Sequence, residues 1–530
     1  MPTLDAQVQE LLASPAAHSQ SARYAVLTAG LNLEVHLDAG DGKGKGLFAT
    51  KDFEQGEIVL HEAPLAAFQH TNSRREAIVC SHCFRFVGSL EKQVGQQVSE
   101  AVDEAGRCDL DAAAPVDDSS ASEAGSHQEA LMALHDDALK LLHGRLTLPH
   151  TDAVPLPAAV PCQGGCSGFK DCLGDRYCSP SCAADAWQQY HQLLCMGPEE
   201  EQPECNGGSG SGNSSSDSGS GSQGKSQDKA KAPAAGSPPL RAGTLAGQEE
   251  KEEARGRNQH QSEALQEFFW HADHTNDIFR LAAIVVAKVL LAADCLLAQQ
   301  GREAGASSSS SSGEPDSAVC WQALLAAWQP FAAGHKGPWW ECTAAPPEAA
   351  ADMRQLASDS LGLLAAALPP RLVSRFPALI TLPVWGSIIG MFELNNLSLF
   401  VANPLQRWLL HLDSLPHEEQ AAAFEVAGPF IDSLPEELPG CEGSGFYALH
   451  SCCNHSCSPN AEAFKRDEDE DGSAVILALR AIKAGEEITL SYIDEEAQLE
   501  ERQQQLADYG FRCACDRCTA EELAALLQLH

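Results

Sequence analysis

Positive charge is scarce in this 530-residue chain: 35 Lys and Arg stand against 74 Asp and Glu, for a formal net charge of -39 and a pI near 4.7. That balance speaks against a surface built to coat a phosphate backbone. It favours solubility and the attraction of basic partners such as Lys/Arg-rich tails, although most of it serves to solvate loops. A basic segment followed by a long apolar one is also missing from the start, Met1-Pro-Thr-Leu-Asp, so no secretory leader is expected there. Uncharged apolar runs of membrane length are absent too. The longest apolar stretch, Ile278 to Ala298, contains Arg280, Lys288 and Asp294, which fits a buried helix better than a span. The 20 cysteines are not spread as a disulfide framework. They fall in short-spaced pairs with a histidine nearby, the pattern of zinc in a reducing compartment.

The apolar fraction of 44% is ordinary, and the length allows about two to four domains. Residues 1 to about 30 carry helical spacing (Leu4, Val8, Leu11, Leu12) and no evident chemistry. Leu33-Glu-Val-His-Leu alternates as a strand does, and Ile58-Val-Leu-His-Glu follows a turn at Gly56. Between them lies Asp41-Gly-Lys-Gly-Lys-Gly46, whose glycines permit positive φ and close backbone approach. Cys80-x2-Cys83 is followed by a long, partly acidic interval with a helical piece near Ala130 to Leu142. Then come Cys162-x3-Cys166, Cys178-x3-Cys182 and His191-x3-Cys195, which complete seven thiolates and one imidazole, enough for two tetrahedral zinc ions. Residues 201–262 and a serine run near 304–316 hold too little apolar surface to order and are expected to be linkers. Helices are expected over Phe268 to Ala298, Cys320 to Trp328 and Met353 to Leu368, the first with one buried face. The acidic run Lys465 to Gly472 is expected to be a solvated hairpin tip.

The densest stretch is Tyr447-Ala-Leu-His-Ser-Cys-Cys-Asn-His-Ser-Cys-Ser-Pro-Asn460, rich in thiols and small polar groups and poor in apolar bulk. Its portion Asn454-His-Ser-Cys-Ser-Pro-Asn460 resembles the Asn-His-Ser-Cys-x-Pro-Asn motif of SET-domain protein-lysine methyltransferases. Gly485-Glu-Glu-Ile-Thr-Leu-Ser-Tyr492 matches the second SET signature, and the 42–58 segment looks like the N-terminal SET piece. Cys80 to Cys195 is similar to a MYND finger, while Tyr509-Gly-Phe-Arg-Cys513-x-Cys515-x2-Cys518 looks like a post-SET knuckle. The His-Ser-Cys-Cys-Asn and Pro-Cys-Gln-Gly-Gly-Cys variants resemble the plant trithorax-related SET–MYND branch.

The resemblance implies an α+β fold: a β-rich SET core of small sheets with a knot-like C-terminal motif, an inserted zinc finger, a helical insertion and a terminal knuckle. The expected boundaries are 1–32 (helical extension), 33–75 (front SET part), 76–200 (MYND-type finger), 201–262 (linker), 263–380 (helical insertion), 381–497 (rear SET part) and 498–530 (post-SET knuckle and terminal helix). It implies one zinc on Cys80, Cys83, Cys178 and Cys182, and a second on Cys162, Cys166, His191 and Cys195, with Cys172 open as an alternative to Cys166. Three thiolates in the terminal knuckle leave a tetrahedral zinc one ligand short, and Cys457 is the natural fourth beside Cys513, Cys515 and Cys518.

It further implies S-adenosylmethionine as cofactor, contacted by Lys43, Gly44, Lys45, Gly46, Asn395 (Asn396 as the fallback), Asn454, His455, Tyr492, Tyr509 and Phe511. Tyr492 is the expected catalytic residue, and His455 is not expected to act as a base. Methyl transfer needs a neutral amine, and deprotonating a free lysine at pH 7 costs about 4.6 kcal/mol. A narrow apolar channel and the adjacent sulfonium both lower that cost. The expected substrate is a basic protein, by default the tail of histone H3, and the expected location the nucleus with a cytoplasmic pool. Proline-rich peptides are expected partners of the finger; membrane and direct nucleic-acid binding are not expected. The alternative is a MYND-type interaction adaptor with weak or non-histone methyltransferase activity.

Overall fold

The computed structural model describes residues 2–111, 134–166, 174–197, 245–305, 316–334, 337–342, 348–466 and 468–528. Glu199–His260 forms a unit separate from the body made of Met1–Pro198 and Gln261–His530. Of that unit only the start of the helix Leu245–Thr275 is described. Most of the expected 201–262 linker, the serine run at 306–315 and Cys172 therefore lie outside the described residues, though the helix begins inside the stretch read as linker.

The strands are short, because glycine, proline and charged residues interrupt every apolar run. In chain order they are β1 (Leu33–His36), β2 (Gly46–Ala49), β3 (Ile58–Glu62), β4 (Ala66–Gln69), β5 (Val160–Pro161), β6 (Arg176–Tyr177), β7 (Asn396–Val401), β8 (Cys441–Phe446), β9 (Asn454–His455), β10 (Ala461–Ala463), β11 (Ala474–Ala478) and β12 (Thr489–Leu490). Among the described residues they make five small sheets: β1-β2, β10-β11-β3, β12-β9, β4-β8-β7 and β5-β6. Two of these join the front of the chain to its rear. β3 pairs antiparallel with β11, Leu60 facing Ile476, and β4 pairs antiparallel with β8, Phe68 facing Ser444. The front and rear segments are thus one folded unit, with the finger and the helices inserted between them. β9 and β12 pair in parallel, Asn454 beside Thr489 and His455 beside Leu490.

An apolar cluster under these sheets unites Leu33, Leu47, Phe53, Leu60, Leu449, Ile476, Ile488 and Leu490 with Tyr24 from the N-terminal helix Ala17–Leu27. A larger one forms around the helix Ile278–Gly305. Asn276 accepts from the Ile278 amide and separates this helix from Leu245–Thr275, so the expected single helix is two. Its expected face is buried: Ile278, Leu281, Val285, Val289 and Leu290 are all inside, and the buried face extends to Phe279, Ala282 and Val286. The stripe of Arg280, Ile284, Lys288 and Leu291 is only half-buried and runs on to the exposed Ala292 and Cys295. Its length and composition would let it cross a membrane, but the core already accounts for that apolarity. Lys288 on it donates to the Leu65 carbonyl at 2.7 Å and lies over the Tyr190 ring. Burial pushes its pKa down to about 8.

The acidic run behaves differently from the expected free tip. Arg466 pairs with Asp469, which is nearly buried, Gly472 donates to the Cys83 carbonyl, and Tyr447 Oη donates to the Gly472 carbonyl. Among the described residues Arg466, Asp469 and Glu470 have charged partners, and the Gly472 bond ties the turn to the Cys80–Cys83 segment.

Candidate active site and zinc centres

The glycine-rich loop leads into β2. Gly44 has φ +79°, with open space where a side chain would stand, so its need for glycine is conformational. Gly46 is needed for a different reason: a Cβ there would lie 2.8 Å from Ala39 and Phe48 side-chain atoms and 3.0 Å from Glu487 Oε1. Asn454 reaches the loop from β9. Its Nδ2 donates to the Lys45 carbonyl (2.8 Å) and to Glu487 Oε1 (2.7 Å), leaving Oδ1 for another partner. Glu487 Oε2 accepts from Lys43 Nζ at 3.0 Å. One carboxylate therefore clamps the loop to the 454–460 motif. The Lys45 ammonium is turned inward, onto Tyr24 Oη (3.2 Å) and the Ala333 carbonyl (2.6 Å). Asn395 Nδ2 donates to the Met391 (2.9 Å) and Gly334 (3.3 Å) carbonyls. The side chains of Lys43 and Lys45 are thus engaged within the protein, and contact with a cofactor would fall to the backbone of this loop.

Tyr492 follows β12. Its hydroxyl donates to the Cys453 carbonyl, and burial raises its pKa above the usual phenol range, so it stays protonated. Its backbone amide donates to His455 Nδ1 at 3.1 Å. That bond fixes the tautomer: Nε2 carries the proton and donates to Cys457 Sγ at 3.2 Å. Burial lowers the His455 pKa to about 4, so the ring is neutral with both nitrogens occupied. It is placed to orient, not to act as a base. Gly510, at φ +78°, turns the chain so that its two neighbours both meet Tyr492. The Tyr509 ring centroid is 5.2 Å from that of Tyr492, and Phe511 is 6.5 Å from Tyr492 and 6.0 Å from His455. Tyr509 and Phe511 are partly exposed, so the aromatic cluster opens to solvent. Tyr447 and Ser451 make local bonds, to the carbonyls of Gly472 and Ala448. Glu62 accepts from the amides of Leu449 and His450 at 2.9 Å each and so holds the turn entering the motif. Burial raises its carboxyl above the usual range, against those bonds.

Three groups of four ligand atoms each lie within 4.8 Å: Cys80, Cys83, Cys178, Cys182; Cys162, Cys166, His191, Cys195; and Cys457, Cys513, Cys515, Cys518. Sulfur separations are 3.5 Å for Cys83–Cys178 and Cys178–Cys182, 3.6 Å for Cys162–Cys195, and 3.5 and 3.9 Å from Cys457 to Cys518 and Cys513. A disulfide needs about 2.05 Å, whereas tetrahedral Zn–S bonds of about 2.3 Å place sulfurs about 3.8 Å apart. The donor sets fit zinc. His191 lies on one π-helical turn, Trp187–His191, which swings Nε2 to 3.0 Å from Cys162 Sγ. Its Nδ1 faces Asp175 Oδ2 at 3.7 Å, an orienting carboxylate held in turn by Arg74. Ser179 caps the helix Pro180–Ala186 by accepting from the Cys182 amide, which sets Cys178 and Cys182 on one side.

A model of the SET domain matches residues 356–493. Histone-lysine N-methyltransferase ATXR2 of Arabidopsis thaliana is 36% identical over 490 residues, covering 90% of this chain and 88% of that protein. The chicken protein-lysine N-trimethyltransferase SMYD5 is 25% identical over 504 residues, covering 90% of this chain and 84% of its own. The human SMYD5 is 38% identical over 128 residues, 22% of this chain and 30% of that protein. The chain belongs to the SET–MYND family. It is a protein-lysine N-methyltransferase, and SET methyltransferases use S-adenosylmethionine.

Within that family identity, the geometry adds residues that the motifs did not single out. The SET model begins at 356, yet β3 and β4 from the front of the chain complete sheets with the rear strands β11 and β8. Glu487 sits inside the recognised Gly485-Glu-Glu signature, so its place was visible but its double grip was not. Glu62 ends a strand legible in the sequence. Arg502 left no signal: it is 1% exposed and donates to Cys518 Sγ, Glu521 Oε2 and the Ala497 carbonyl. Arg517 donates to the Cys457 and Glu495 carbonyls.

Proposed function

We propose that this enzyme methylates lysines of histone tails, histone H3 first among them, in the nucleus with a cytoplasmic pool. The observation that carries the reading is the meeting, at the adjacent residues Asn454 and His455 of β9, of two sets of hydrogen bonds: one from Asn454 to the Lys45 carbonyl of the glycine-rich loop, the other from Tyr492 through His455 to Cys457. Bound S-adenosylmethionine supplies an electrophilic methyl group. Gly44 and the Lys45 backbone, with Asn454 Oδ1, would hold its amino-acid end, and Asn395 would border it. Tyr492 Oη, whose hydroxyl donates to the Cys453 carbonyl, keeps its lone pairs free to stabilise the methyl in transfer and to orient the incoming amine. Tyr509 and Phe511 wall the lysine channel and lower its polarity, which favours the neutral amine. No strong base is required, and water carries the proton away.

The three donor sets would hold three zinc ions, two in a MYND-type finger within 76–200 and one in the post-SET knuckle of 498–530. The parallel β9–β12 pairing supports the knot-like rear of the SET core. The finger is the proposed dock for proline-rich peptides. The net charge of -39 supports a basic substrate, as does the likeness to a plant histone-lysine N-methyltransferase. The animal relatives named as protein-lysine trimethyltransferases support a second reading, a non-histone target.

The test is purified protein with labelled S-adenosylmethionine, histones in one arm and cell extract in the other, beside Tyr492→Phe. Labelled histone that falls by about a hundredfold in the variant is the expected result. Label only in the extract arm would select the non-histone reading, and undiminished transfer by Tyr492→Phe would remove the role given to Tyr492.

A further inference from the structure

The residues ahead of β1 show only helical spacing in sequence, and no motif runs through them. In the structure two of their neighbours bear on the active site. The first is the helix Ser317–Ala332, more than 300 residues away in the chain. Trp328 Nε1 donates to the Leu11 carbonyl (2.7 Å), Trp321 Nε1 to Glu10 Oε2 (3.2 Å), Gln329 Nε2 to Ser19 Oγ (2.8 Å), and Arg23 Nη2 to the Pro330 carbonyl (3.4 Å). These four bonds run along the helix toward its end.

The second neighbour is the glycine-rich loop. Tyr24 is 3% exposed, packs in the cluster of Leu47, Leu449 and Cys452, and meets Lys45 Nζ at 3.2 Å through its hydroxyl. The same ammonium sits on the carbonyl of Ala333, the residue that caps the helix Ser317–Ala332. A cation is favoured there by the partial negative charge of a helix C-terminus. Asn395 donates to the next carbonyl, Gly334. Lys45 and Asn395 are therefore tied to one turn, and the N-terminal helices hold that turn by its helix. The Lys45 carbonyl, in turn, receives the Asn454 amide.

We propose that Tyr24 is a positioning residue for methyl transfer, and that the N-terminal helices are a strap that sets the cofactor loop. The proposal rests on the cofactor reading of the Gly44–Lys45 loop. A loop with two glycines of positive φ at 42 and 44 has many conformations to lose on binding. Anchoring the Lys45 side chain removes that freedom beforehand, so the backbone groups face the cofactor before it arrives.

The experiment uses full-length Tyr24→Phe, Lys45→Met and the double variant. Cofactor Kd is measured by titration calorimetry, KM and kcat by label transfer, and folding by thermal midpoint. Tyr24→Phe keeps the ring in the core and removes the hydroxyl's hydrogen bonds to the Lys45 ammonium and to Cys452, so cofactor Kd and KM rise by about tenfold while kcat changes little. The double variant binds no more weakly than Lys45→Met, because both changes break one link. Cofactor Kd within about twofold of wild type in Tyr24→Phe, or losses that multiply in the double variant, overturn the proposal. Wild-type protein without cofactor binding overturns the cofactor reading, and the proposal with it.

Discussion

Arg502 offers a direct test of how the terminal knuckle is held. Its guanidinium is buried against Cys518 Sγ, and it also bonds Glu521 Oε2 at 2.6 Å and the Ala497 carbonyl at 2.8 Å. Four thiolates on the proposed zinc ion would leave two negative charges in excess, and Arg502 is the buried cation beside them. Arg502→Met keeps much of the volume and removes the charge and every donor. Breaking one partner of a buried charged set costs about 3–5 kcal/mol. Glu521 is partly exposed and recovers hydration, so the lower end applies here, about 3 kcal/mol. Zinc release from full-length protein is followed with a chromophoric chelator, beside thermal unfolding. One zinc of three leaves markedly faster in Arg502→Met, the other two at the wild-type rate, and the unfolding midpoint falls. Arg502→Lys restores charge without the fork and lies between the two. Release of all three zinc ions at wild-type rates with an unchanged midpoint would refute the counter-charge argument.

Three further outcomes follow from local geometry. Gly164 donates its amide to Cys162 Sγ, and a Cβ there would lie 2.4 Å from Cys195 Sγ, so Gly164→Ala displaces that thiolate; metal analysis should show about one zinc fewer per chain. Glu487→Gln presents an amide donor to either Asn454 or Lys43, both of which are donors, so cofactor Kd rises by about five- to tenfold in calorimetry with little loss of fold. Lys288, held at about 8 by burial, binds its proton less tightly in the folded chain than in the unfolded one. Its burial cost is full below pH 8 and fades as pH rises toward its unfolded value, near 10.4. The stability of wild type relative to Lys288→Met therefore climbs over that window, by roughly 3 kcal/mol at most, read by denaturant titration at several pH values. A difference that stays flat between pH 8 and 10 would contradict the burial account.

The parts of the fold that were legible in sequence are those whose chemistry needs neighbours in the chain. The cysteine pairs, the 454–460 motif and the glycine loop each carry their spacing locally, whereas the partition of the ligands into three groups of four, as they lie together here, came from the family resemblance. What stayed hidden depends on long-range contact. Tyr24 and Lys45 are 21 residues apart with no pattern linking them, and Trp328 and Leu11 are 317 apart. The buried face of the helix Ile278–Gly305 was legible from its apolar spacing, but its width was not, because alanine, at Ala282, Ala283 and Ala287, reads as neutral in a periodicity count and is fully buried here. The run Lys465 to Gly472 looked free because its charges were counted as exposed, whereas Arg466 and Lys465 are used within it.

Tyr492, the proposed catalytic residue, lies beyond the proposed metal ligand Cys457 in the bond relay, which has a consequence for how the enzyme fails. Cys457 Sγ receives the Nε2 proton of His455, which leaves Nδ1 to accept the Tyr492 amide. A thiolate is the stronger acceptor, and a proposed zinc ion on Cys457, Cys513, Cys515 and Cys518 is what would keep that sulfur anionic at neutral pH. Without the metal the thiol becomes a competing donor, the imidazole loses its reason to prefer one tautomer, and the Tyr492 backbone loses its fixed acceptor. The Asn454 clamp on the glycine loop shares none of those bonds. Selective loss of the knuckle zinc should therefore lower kcat before it weakens cofactor binding, and the reverse order, cofactor affinity lost first, would mean that Tyr492 is held by something other than this relay.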